Sequence, residues 1–597
     1  MVDRSIYTPE YLKAQAPTFF SIARDARSLG SLRERLAALI HQMRFDTFHE
    51  KEPSQDVRII RVRDCAHFLQ SILAMRSDHL AGFSVATAVR DIARNRPRPD
   101  LKPAFYADLL HLLLGVQGRG PGQSPADRVL VPSSLKGRDA AIERSRQLEA
   151  LGKGMAQQIE RYATGLDPET IERREGRRHR VLEALGGSES DWEDWRWHIR
   201  HVIRDPDLLA KMISLSERDY DAILEARARK VPFGLTPHHA SLLDDEPSSR
   251  DRSVRFQVIP PRDYVEGLSR LRHDDPAMLD FMREEDTSPV DLITRRYPGI
   301  CILKPVTTCP QVCVYCQRNW EIEDAMDPAG IISAPLVEAA LDWIDAHPAI
   351  SEVLMTGGDP FILSNKRLQA MLDRLAAMPH VERIRIGTRT PVTLPMRITE
   401  NLADLLAMYH DPGRREVAIV THCQHAYEVT PRTIEAVSRL RRRQISVYNQ
   451  QVYTFFNSRR FETCALRRAM RQAGIDPYYT FNMKGKDEMK AYRVPIARLL
   501  QEQKEEARLM PGMARTDEAV FNVPGQGKNY LRARQHRNLL SILPNGARVY
   551  EFHPWEKNIT TAIEPYVGPD LPILDYLDRL ESIGEDPDDY DTIWYYF

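Results

Sequence analysis

The sequence predicts an α/β protein in which a partial (β/α) barrel follows a large, mostly helical N-terminal region. From about residue 290 onward, short β-rich runs alternate with longer helical patterns, beginning with GICILKPV and LVEAALDWIDAH. This βα repetition is typical of a parallel sheet with helical crossovers. Residues 1–185 instead place apolar residues at spacings of three and four, as in LRERLAALIHQM, which predicts helices.

The repeat continues along the chain with a regular order of elements. The predicted strands are GICILKPV, SEVLMTGGDP, VERIRIGTRTP, EVAIVTHC, ISVYNQQVY and PYYTFNMKG. The predicted helices between them are LVEAALDWIDAH, NKRLQAMLDRLAAM, PRTIEAVSRLRRRQ and FETCALRRAMRQAG. Functional residues of such folds lie where the strands end, and the unusual segments TGGDP, GTRTP, THCQH and NQQ occur at those points.

At 597 residues the chain exceeds the roughly 250–300 residues at which a single core stops growing, so several domains are expected. We divide it into a helical accessory domain (1–185), a helical lead-in (186–289), the (β/α) core (290–535) and a C-terminal segment (536–597). No catalytic signature is found in the accessory domain, whose role the sequence does not indicate.

Composition excludes several classes of protein. Lys and Arg number 83 against 84 Asp and Glu, so no global field favours nucleic acid or an anionic membrane. The most apolar stretch, residues 106–118, is too short to span a bilayer, and the first residues show no signal peptide. The basic run RREGRRHR at 173–180 is predicted to be a solvated helix face. We therefore expect a cytoplasmic protein with neither nucleic acid nor membrane as a partner.

Three of the seven cysteines lie in KPVTTCPQVCVYCQRNW, where Cys309, Cys313 and Cys316 have the spacing C-x3-C-x2-C. Thiolates suit zinc or iron–sulfur clusters. A structural zinc site needs a fourth nearby ligand, and the other cysteines lie on separate predicted elements. A four-iron cluster held by three thiolates leaves one iron open, which favours a [4Fe-4S] cluster over a zinc knuckle or incidental thiols.

This loop resembles that of the radical S-adenosylmethionine (SAM) enzymes, so the barrel is expected to be of the radical SAM type. The resemblance implies that the amino and carboxylate groups of S-adenosyl-L-methionine bind the open iron, and that reductive cleavage releases a 5′-deoxyadenosyl radical. Tyr315, before the last cysteine, fits this pattern. The segment TGGDP places Gly357, Gly358 and Asp359 at the next strand end, where the resemblance implies contact with the methionine amino group.

A longer series of segments resembles the lysine 2,3-aminomutase family over about residues 190–560. In chain order they are WEDWRWHIRHVI, FGLTPHHASLLD, EDTSPVDLITRRYP, the cysteine loop, VLMTGGDPFIL, RIRIGTRTPVTLPMRIT, THCQHAYEVTP, YNQQV, PYYTFNM and VPGQGKNYL. The resemblance implies an isomerase that moves an amino group between the α and β carbons of a free amino acid. It also implies pyridoxal 5′-phosphate as a second cofactor, bound in the core.

The resemblance assigns cofactor residues one by one. Lys528 in PGQGKN matches the lysine that binds pyridoxal phosphate covalently, although this stretch is one residue shorter than the family pattern. Arg296 and Tyr297 match positions near the cofactor phosphate, whereas the arginine usual three residues later is Ile300 here. Gln450 matches a residue of the SAM pocket.

Three residues predict the substrate. Arg318, two residues after the last cluster cysteine, matches the arginine that pairs with the substrate carboxylate. Lys484 and Asn522 occupy the positions of two aspartates that bind the distal ammonium in lysine enzymes. A lysine facing that ammonium would cost several kcal/mol, and glutamate 2,3-aminomutases show this kind of replacement. We therefore predict conversion of L-glutamate to β-glutamate.

Two kinds of alternative remain open at this point. A lysine 2,3-aminomutase, or an enzyme that isomerises lysine for attachment to a protein, would require carboxylates where Lys484 lies. A non-catalytic regulatory protein that retains the cluster and SAM is the alternative from another class. The expected partners are the amino acid and an electron donor such as flavodoxin or ferredoxin, and a homo-oligomer is compatible with the sequence.

Overall fold

The computed structural model describes residues 3–49, 56–120, 132, 134–483, 486–554 and 564–597. Its main feature is a nine-stranded sheet in which the strands follow one another in chain order. They are β1 (Ile293–Tyr297), β2 (Ile300–Val306), β3 (Glu352–Gly357), β4 (Arg383–Gly387), β5 (Glu416–Thr421), β6 (Ser446–Tyr453), β7 (Asp476–Asn482), β8 (Glu518–Val523) and β9 (Gly527–Tyr530).

Strands β2 to β8 are parallel, while β1 and β9 pair antiparallel at the two edges. The helices between them are α17 (Ala334–Asp345), α18 (Asn365–Ala377), α19 (Thr390–Thr393), α20 (Glu400–Ala407), α21 (Pro431–Arg441), α22 (Glu462–Gln472) and α23 (Ile496–Leu509). All six predicted strands and four predicted helices are present. The prediction of a partial (β/α) barrel is therefore confirmed, and β1, β8 and β9 are additions to it.

Within the residues that the structure describes, sixteen α-helices precede the sheet. They are α1 (Pro9–Gln15), α2 (Pro17–Asp25), α3 (Leu29–His49), α4 (Asp56–Ile72), α5 (Met75–Ala81), α6 (Val85–Ala93), α7 (Pro103–Val116), α8 (Gly137–Glu160), α9 (Pro168–Leu185), α10 (Glu189–Glu193), α11 (Trp195–Arg200), α12 (Pro206–Ala210), α13 (Glu217–Ala228), α14 (Pro237–Leu242), α15 (Arg252–Arg255) and α16 (Arg262–Asp274). None of the helices in the described part of the chain is long and apolar enough to cross a membrane.

The chain ends in a second, antiparallel sheet of β10 (Arg537–Ile542), β11 (Arg548–Phe552) and β12 (Tyr566–Pro569), followed by α24 (Ile573–Ser582). Short 3-10 helices occupy Arg4–Ile6, Pro276–Leu279, Glu285–Thr287, Pro328–Gly330, Pro360–Ile362, Pro395–Arg397, Ala426–Glu428, Phe455–Asn457, Asp487–Tyr492, Gly512–Ala514, Arg534–His536 and Pro587–Tyr595.

The N-terminal helices share a hydrophobic core with this C-terminal sheet. Buried side chains of α1 to α4, α6 and α7 belong to the same cluster as those of β10, β11 and α24. Phe68 stacks on Phe597 with ring centroids 4.3 Å apart. Within this apolar contact, Asp108 of α7 accepts two hydrogen bonds of 2.8 Å from the guanidinium of Arg548 on β11. The two ends of the chain therefore pack together, and the domain boundaries drawn from the sequence stay a prediction.

One interpretation of the sequence is wrong in part. Helix α9 does not present the whole basic run to solvent, because Arg174 and Arg177 are buried. Arg174 donates to the carbonyl of Tyr427 and lies over its ring at 4.3 Å. Arg177 donates to the carbonyl of Ser241 at 3.0 Å. Helical periodicity turns these two arginines inward, where each donates to a main-chain oxygen.

Replacement of Asp108 by Asn tests the connection between α7 and β11. The cation of Arg548 would lose its buried counter-charge, so the free energy of unfolding of this region should fall by about 3–5 kcal/mol. The thermal unfolding midpoint should drop, and α7 should exchange its amide hydrogens faster.

Glu435→Gln is the matched control, because it removes a carboxylate from an exposed pair with Arg432 at 3.2 Å. An exposed pair contributes about 0–1 kcal/mol, so little change is expected. Equal effects of the two replacements would contradict a stabilising role for the buried pair.

Candidate active site

The concave face of the nine-stranded sheet encloses a cavity of about 390 Å³. Strands β1 to β9 contribute side chains to it, and so do the loops that follow β2, β3 and β4. Twelve residues predicted as site residues line this cavity. They are Arg296, Tyr297, Cys309, Cys313, Cys316, Arg318, Gly357, Gly358, Asp359, Gln450, Asn522 and Lys528. The remaining one, Lys484, lies outside the described residues.

The cysteine loop follows β2 directly and is held by main-chain hydrogen bonds. The N–H of Val312 donates to the carbonyl of Gly234, and that of Val314 to the carbonyl of Gln257, both at 2.9 Å. Arg389, from the GTRTP segment after β4, donates from Nη1 to Sγ of Cys313 at 3.0 Å. These contacts hold the loop whose three cysteines line the cavity.

The donor set of this loop fits an iron–sulfur cluster. Burial, followed by the nearby Cys313, raises the pKa of the Cys316 thiol to about 11, and burial also raises the pKa of Cys309. Three thiolates this close repel one another unless a cationic centre binds them, and a cluster supplies that charge. The hydroxyl of Tyr315 is buried beside them without a hydrogen-bond partner, which fits a ligand in the cavity.

The Gly-Gly-Asp turn after β3 packs directly on the start of the cysteine loop. The N–H of Gly358 donates to the carbonyl of Val306 at 2.6 Å, and that of Asp359 to the carbonyl of Thr308 at 3.1 Å. A Cβ on Gly358 would lie 2.1 Å from the oxygen of Thr308. Gly357 has φ of +112°, which disfavours any other residue. The glycines are thus required by the close packing of the cysteine loop against this turn, whereas the sequence analysis explained them by the approach of a ligand.

Asp359 connects this turn to the GTRTP segment. Its carboxylate accepts hydrogen bonds from the hydroxyl of Thr388 at 2.6 Å and from the N–H of Arg389 at 2.8 Å. Burial raises the pKa of Asp359 above its usual range. Arg389 in turn pairs with Glu428 at 3.1 Å. The carboxylate therefore positions the arginine that contacts Cys313.

Lys528 lies at another part of the same cavity, on the β8–β9 hairpin. Its Nζ donates to the hydroxyl of Tyr297 at 3.0 Å and lies 5.6 Å from the ring centroid of Tyr479. Burial lowers the pKa of Lys528 to about 8, with contributions from the positive charges of Arg296 and Arg385. A lysine with a lowered pKa provides a neutral amine that can attack an aldehyde.

Positive charge surrounds this lysine. Arg296 donates to the carbonyl of Met282 at 2.5 Å. Arg385 points inward from β4 and pairs with Glu352 through Nε at 2.6 Å. Both guanidinium groups line the cavity. This end of the cavity therefore suits the anionic phosphate of a pyridoxal cofactor. Arg385 supplies a positive charge at this end of the cavity, whereas Ile300, which stands at the position of the usual family arginine, supplies none.

The predicted substrate residues have the following contacts. The guanidinium of Arg318 forms a buried ion pair with Glu284, at 2.8 Å from Nη2 and 3.2 Å from Nε. Asn522 on β8 lies directly across from Lys528 on β9. Lys486 also lines the cavity, but its ammonium donates to the side chain of Asn319 and pairs with Glu488 at 3.3 Å.

Gln450 and His422 line the cavity between the strand ends of β6 and β5. Nδ1 of His422 lies 2.9 Å from the carbonyl of Gln450. Burial, together with the charge of Arg389, lowers the pKa of His422 to about 4, so the imidazole is neutral near pH 7. His425 instead pairs with Glu462 at 3.0 Å in the core.

A second group of potential metal ligands, Cys464, Glu502 and Glu506, lies in the core behind α22. Both carboxylates already have partners, because Arg498 pairs with Glu502 and Arg467 with Glu506. This group is therefore a buried ion-pair network.

Several residues that line the cavity were not singled out from the sequence, and four of them have charged or polar side chains that the site uses. They are Glu284, Gln311, Arg385 and Arg389. A signal existed for the two arginines, since RIRIGTR alternates charged and apolar residues before a strand end. Arginine on the inward face of a buried strand requires an anionic partner. The contact of Glu284 with Arg318 joins segments far apart in the chain and had no such signal.

Reaction of Lys528 with pyridoxal, which lacks the phosphate, tests the electrostatics of the lysine end. The rate of borohydride-trapped incorporation should rise with pH and level off above about 8, because the neutral amine is the nucleophile. Arg385→Gln should raise the pKa of Lys528 and slow incorporation roughly three- to tenfold at pH 7.

Arg383→Gln is the matched control on the same strand. Arg383 pairs with the same Glu352 at 2.9 Å but is exposed and does not line the cavity. If both replacements slowed the reaction equally, the proposed effect of Arg385 on Lys528 would be excluded.

The Gly-Gly-Asp turn yields a second prediction. Gly358→Ala should destabilise the protein by about 1–3 kcal/mol and lower its cluster content, because the new methyl group displaces Thr308 from the cysteine loop. Iron and sulfide analysis with thermal unfolding measures both effects. Gly512→Ala adds the same methyl group where nothing lies within 4 Å, and should change neither quantity. A normal cluster content in Gly358→Ala would show that the turn tolerates the shift.

Comparison with known proteins identifies relatives along most of the chain. No protein-family model matches the sequence. An uncharacterized KamA family protein from Methanocaldococcus jannaschii is 41% identical over 97% of this chain and 96% of its own length. A glutamate 2,3-aminomutase from Clostridioides difficile is 31% identical over 58% of this chain and 77% of its own. An L-lysine 2,3-aminomutase from Clostridium subterminale is 30% identical over 52% and 71%.

Solved structures show only weak likeness. A radical SAM methyltransferase from Sphaerobacter thermophilus has a TM-score of 0.27 and 16% identity, over 38% of this chain and 68% of its own. SuiB of Streptococcus suis, bound to S-adenosylmethionine, has a TM-score of 0.29 and 13% identity, over 52% and 67%. These scores are too low to support an argument. The relatives decide the assignment: the chain belongs to the KamA family, the family of the lysine 2,3-aminomutases.

Proposed function

We propose that this protein is a radical SAM, pyridoxal phosphate-dependent 2,3-aminomutase that converts L-glutamate to β-glutamate. One observation carries the proposal: the three cysteines, the Gly-Gly-Asp turn, Arg318 and Lys528 all line a single cavity. Segments separated by more than 200 residues in the chain meet there. The aminomutase relatives support the reaction class, and the relative named glutamate 2,3-aminomutase supports the substrate.

Each end of the cavity would hold one cofactor. Cys309, Cys313 and Cys316 would hold a [4Fe-4S] cluster with S-adenosyl-L-methionine. Lys528 would hold pyridoxal phosphate, with Arg296 and Arg385 against its phosphate. When bound, S-adenosylmethionine supplies a carbon-centred radical and pyridoxal phosphate supplies the conjugated ring that carries the amino group. The residues of the protein bind and orient these groups and exclude water from the cavity.

Lys528 contributes a nucleophilic amine. Its lowered pKa means that a large fraction of the side chain is neutral near pH 8, whereas an ordinary lysine is almost fully protonated there. Tyr297 accepts a hydrogen bond from Nζ and thereby holds the amine in the cavity. The two arginines disfavour the protonated form because like charges repel.

Arg318 would bind the α-carboxylate of the substrate. Its planar guanidinium suits two parallel hydrogen bonds to a carboxylate, and it is already oriented by Glu284. Lys304 pairs with Glu321 at 2.6 Å. Its ammonium also lies 3.7 Å from Glu284 and helps to balance the negative charge of Glu284. The substrate carboxylate would share the guanidinium with Glu284 or replace it.

The distal end of the substrate sets its class. Asn522 offers an NH2 group across the hairpin from Lys528, where a carboxylate would be needed to bind an ammonium. Lys486 cannot serve as a free counter-charge, because Asn319 and Glu488 bind it. The cation for a distal carboxylate is therefore assigned to Lys484 on the sequence alone. A cytoplasmic location, a flavodoxin- or ferredoxin-type reductant and a homo-oligomer belong to the same proposal.

A panel of amino acids tests the substrate. Anaerobically reconstituted protein should convert L-glutamate to its β-isomer, which chromatography with mass detection measures directly, and should leave lysine unchanged. Arg318→Gln should lower kcat/KM roughly 100-fold or more, since a charged hydrogen bond to the substrate is lost. Conversion of lysine but not of glutamate would rule out the substrate class and leave the aminomutase assignment intact.

Two variants separate the remaining alternatives. Asn522→Asp places a carboxylate beside the distal group and should reduce glutamate turnover through like-charge repulsion. Lys528→Ala should abolish isomerisation and the absorbance of covalently bound pyridoxal phosphate. Normal cofactor absorbance in Lys528→Ala, with no isomerisation of any amino acid by the unmodified protein, would favour a regulatory protein.

A further inference from the structure

Gln311 is a buried amide with no hydrogen-bond partner. It lies in the middle of the cysteine loop, two residues from both Cys309 and Cys313, and its side chain is 4% exposed. Neither Oε1 nor Nε2 has a partner. Among the asparagines and glutamines in the described ranges, only Gln311 has both side-chain polar atoms buried and unsatisfied.

An amide in this condition destabilises the protein by itself. Burial removes hydrogen bonds to water, and without replacement bonds an apolar side chain of similar length would be more stable at this position. Because Gln311 also lines the cavity, a bound ligand can supply both missing bonds. The ligand must offer an acceptor to Nε2 and a donor to Oε1.

This requirement distinguishes between the groups expected nearby. The sulfur atoms of a cluster accept hydrogen bonds but donate none, so they would leave Oε1 unsatisfied. A carboxylate alone has the same limitation. An amino acid group bound through both its nitrogen and its carboxylate retains N–H donors and carboxylate oxygens side by side, and therefore matches both atoms of the amide.

The position of Gln311 selects the ligand. The Gly-Gly-Asp turn is hydrogen-bonded to Thr308, the residue before Cys309, through the N–H of Asp359 at 3.1 Å. Arg389 connects the same turn to Cys313. Gln311 thus lies between the two cysteines that adjoin this turn. Arg318, assigned to the substrate, follows the third cysteine and contacts Glu284 instead.

We propose that Gln311 binds the amino acid end of S-adenosylmethionine, donating from Nε2 to its carboxylate and accepting at Oε1 from its amino group. The inference rests on the proposed radical SAM chemistry and is independent of the identity of the isomerised amino acid. Gln311 acts as a binding residue that orients the methionine group on the cluster.

Gln311→Met, measured in the anaerobically reconstituted full chain, tests this inference. Methionine has a similar length and no amide, so the Kd for S-adenosylmethionine, from equilibrium dialysis, should rise roughly 10- to 100-fold. Iron and sulfide content should stay at the level of the unmodified protein. Without S-adenosylmethionine the thermal midpoint should be equal or higher, because two unsatisfied buried atoms are removed.

Gln501→Met is the matched control. Gln501 is equally buried, but its amide donates to Thr592 at 2.8 Å and accepts from Arg498 at 3.1 Å. Its replacement should lower the thermal midpoint and leave the Kd unchanged.

An unchanged Kd in Gln311→Met, or a lower thermal midpoint without S-adenosylmethionine, would overturn the assignment. If the unmodified protein failed to bind S-adenosylmethionine at all, the proposed function would fail as well. If the unmodified protein did not convert glutamate but Gln311→Met still raised the Kd for S-adenosylmethionine, this inference would stand and only the proposed substrate would be rejected.

Discussion

The buried carboxylate of Asp359 connects the segments that form the cluster end of the cavity. The carboxylate accepts hydrogen bonds from Thr388 and Arg389, and the main-chain N–H of Asp359 donates to the carbonyl of Thr308. Loops that follow three neighbouring strands are thereby held against one another. Because the side chain of Arg389 reaches Cys313, the position of this thiol depends on a carboxylate that does not touch the sulfur. Charged groups buried this deeply are retained only where each has a partner.

The lysine end of the cavity has a different charge environment. Near the cysteines, Arg389 is paired with Glu428, whereas at the other end Arg296 and Arg385 place positive charge near Lys528, with Arg385 also paired with Glu352. The cost of this arrangement is a lysine that loses its proton more easily, which is the property that its proposed reaction with an aldehyde requires. An anionic cofactor would balance the field. The two ends therefore differ in charge balance, and each suits a different ligand.

The N-terminal helical region, which lies outside the segments that resemble the aminomutases, is not separate from the rest. Helices α1 to α4, α6 and α7 complete a core with β10, β11 and α24, and Arg548 extends from that core to the C-terminal main chain. The relative from Methanocaldococcus jannaschii matches the chain over 97% of its length and so spans this region too. Because the sheet residues Phe521 and Val523 belong to the same core, the N-terminal helices support the β8–β9 hairpin that carries Lys528.

Periodicity and the spacing of short motifs determined the order of strands β2 to β7 and the cysteine triad, because each is encoded by neighbours in the chain. The other predicted cavity residues came from the resemblance of ordered segments to the lysine 2,3-aminomutase family. The tertiary structure alone decided what those residues contact. Arg318 pairs with Glu284, Arg385 faces Lys528 and Gln311 is left without a partner, and each of these facts depends on side chains brought together from distant segments. Arg174 and Arg177 were predicted to face solvent but are buried, because charge in a sequence does not say which face of a helix packs inward. Lys484 rests on the sequence only.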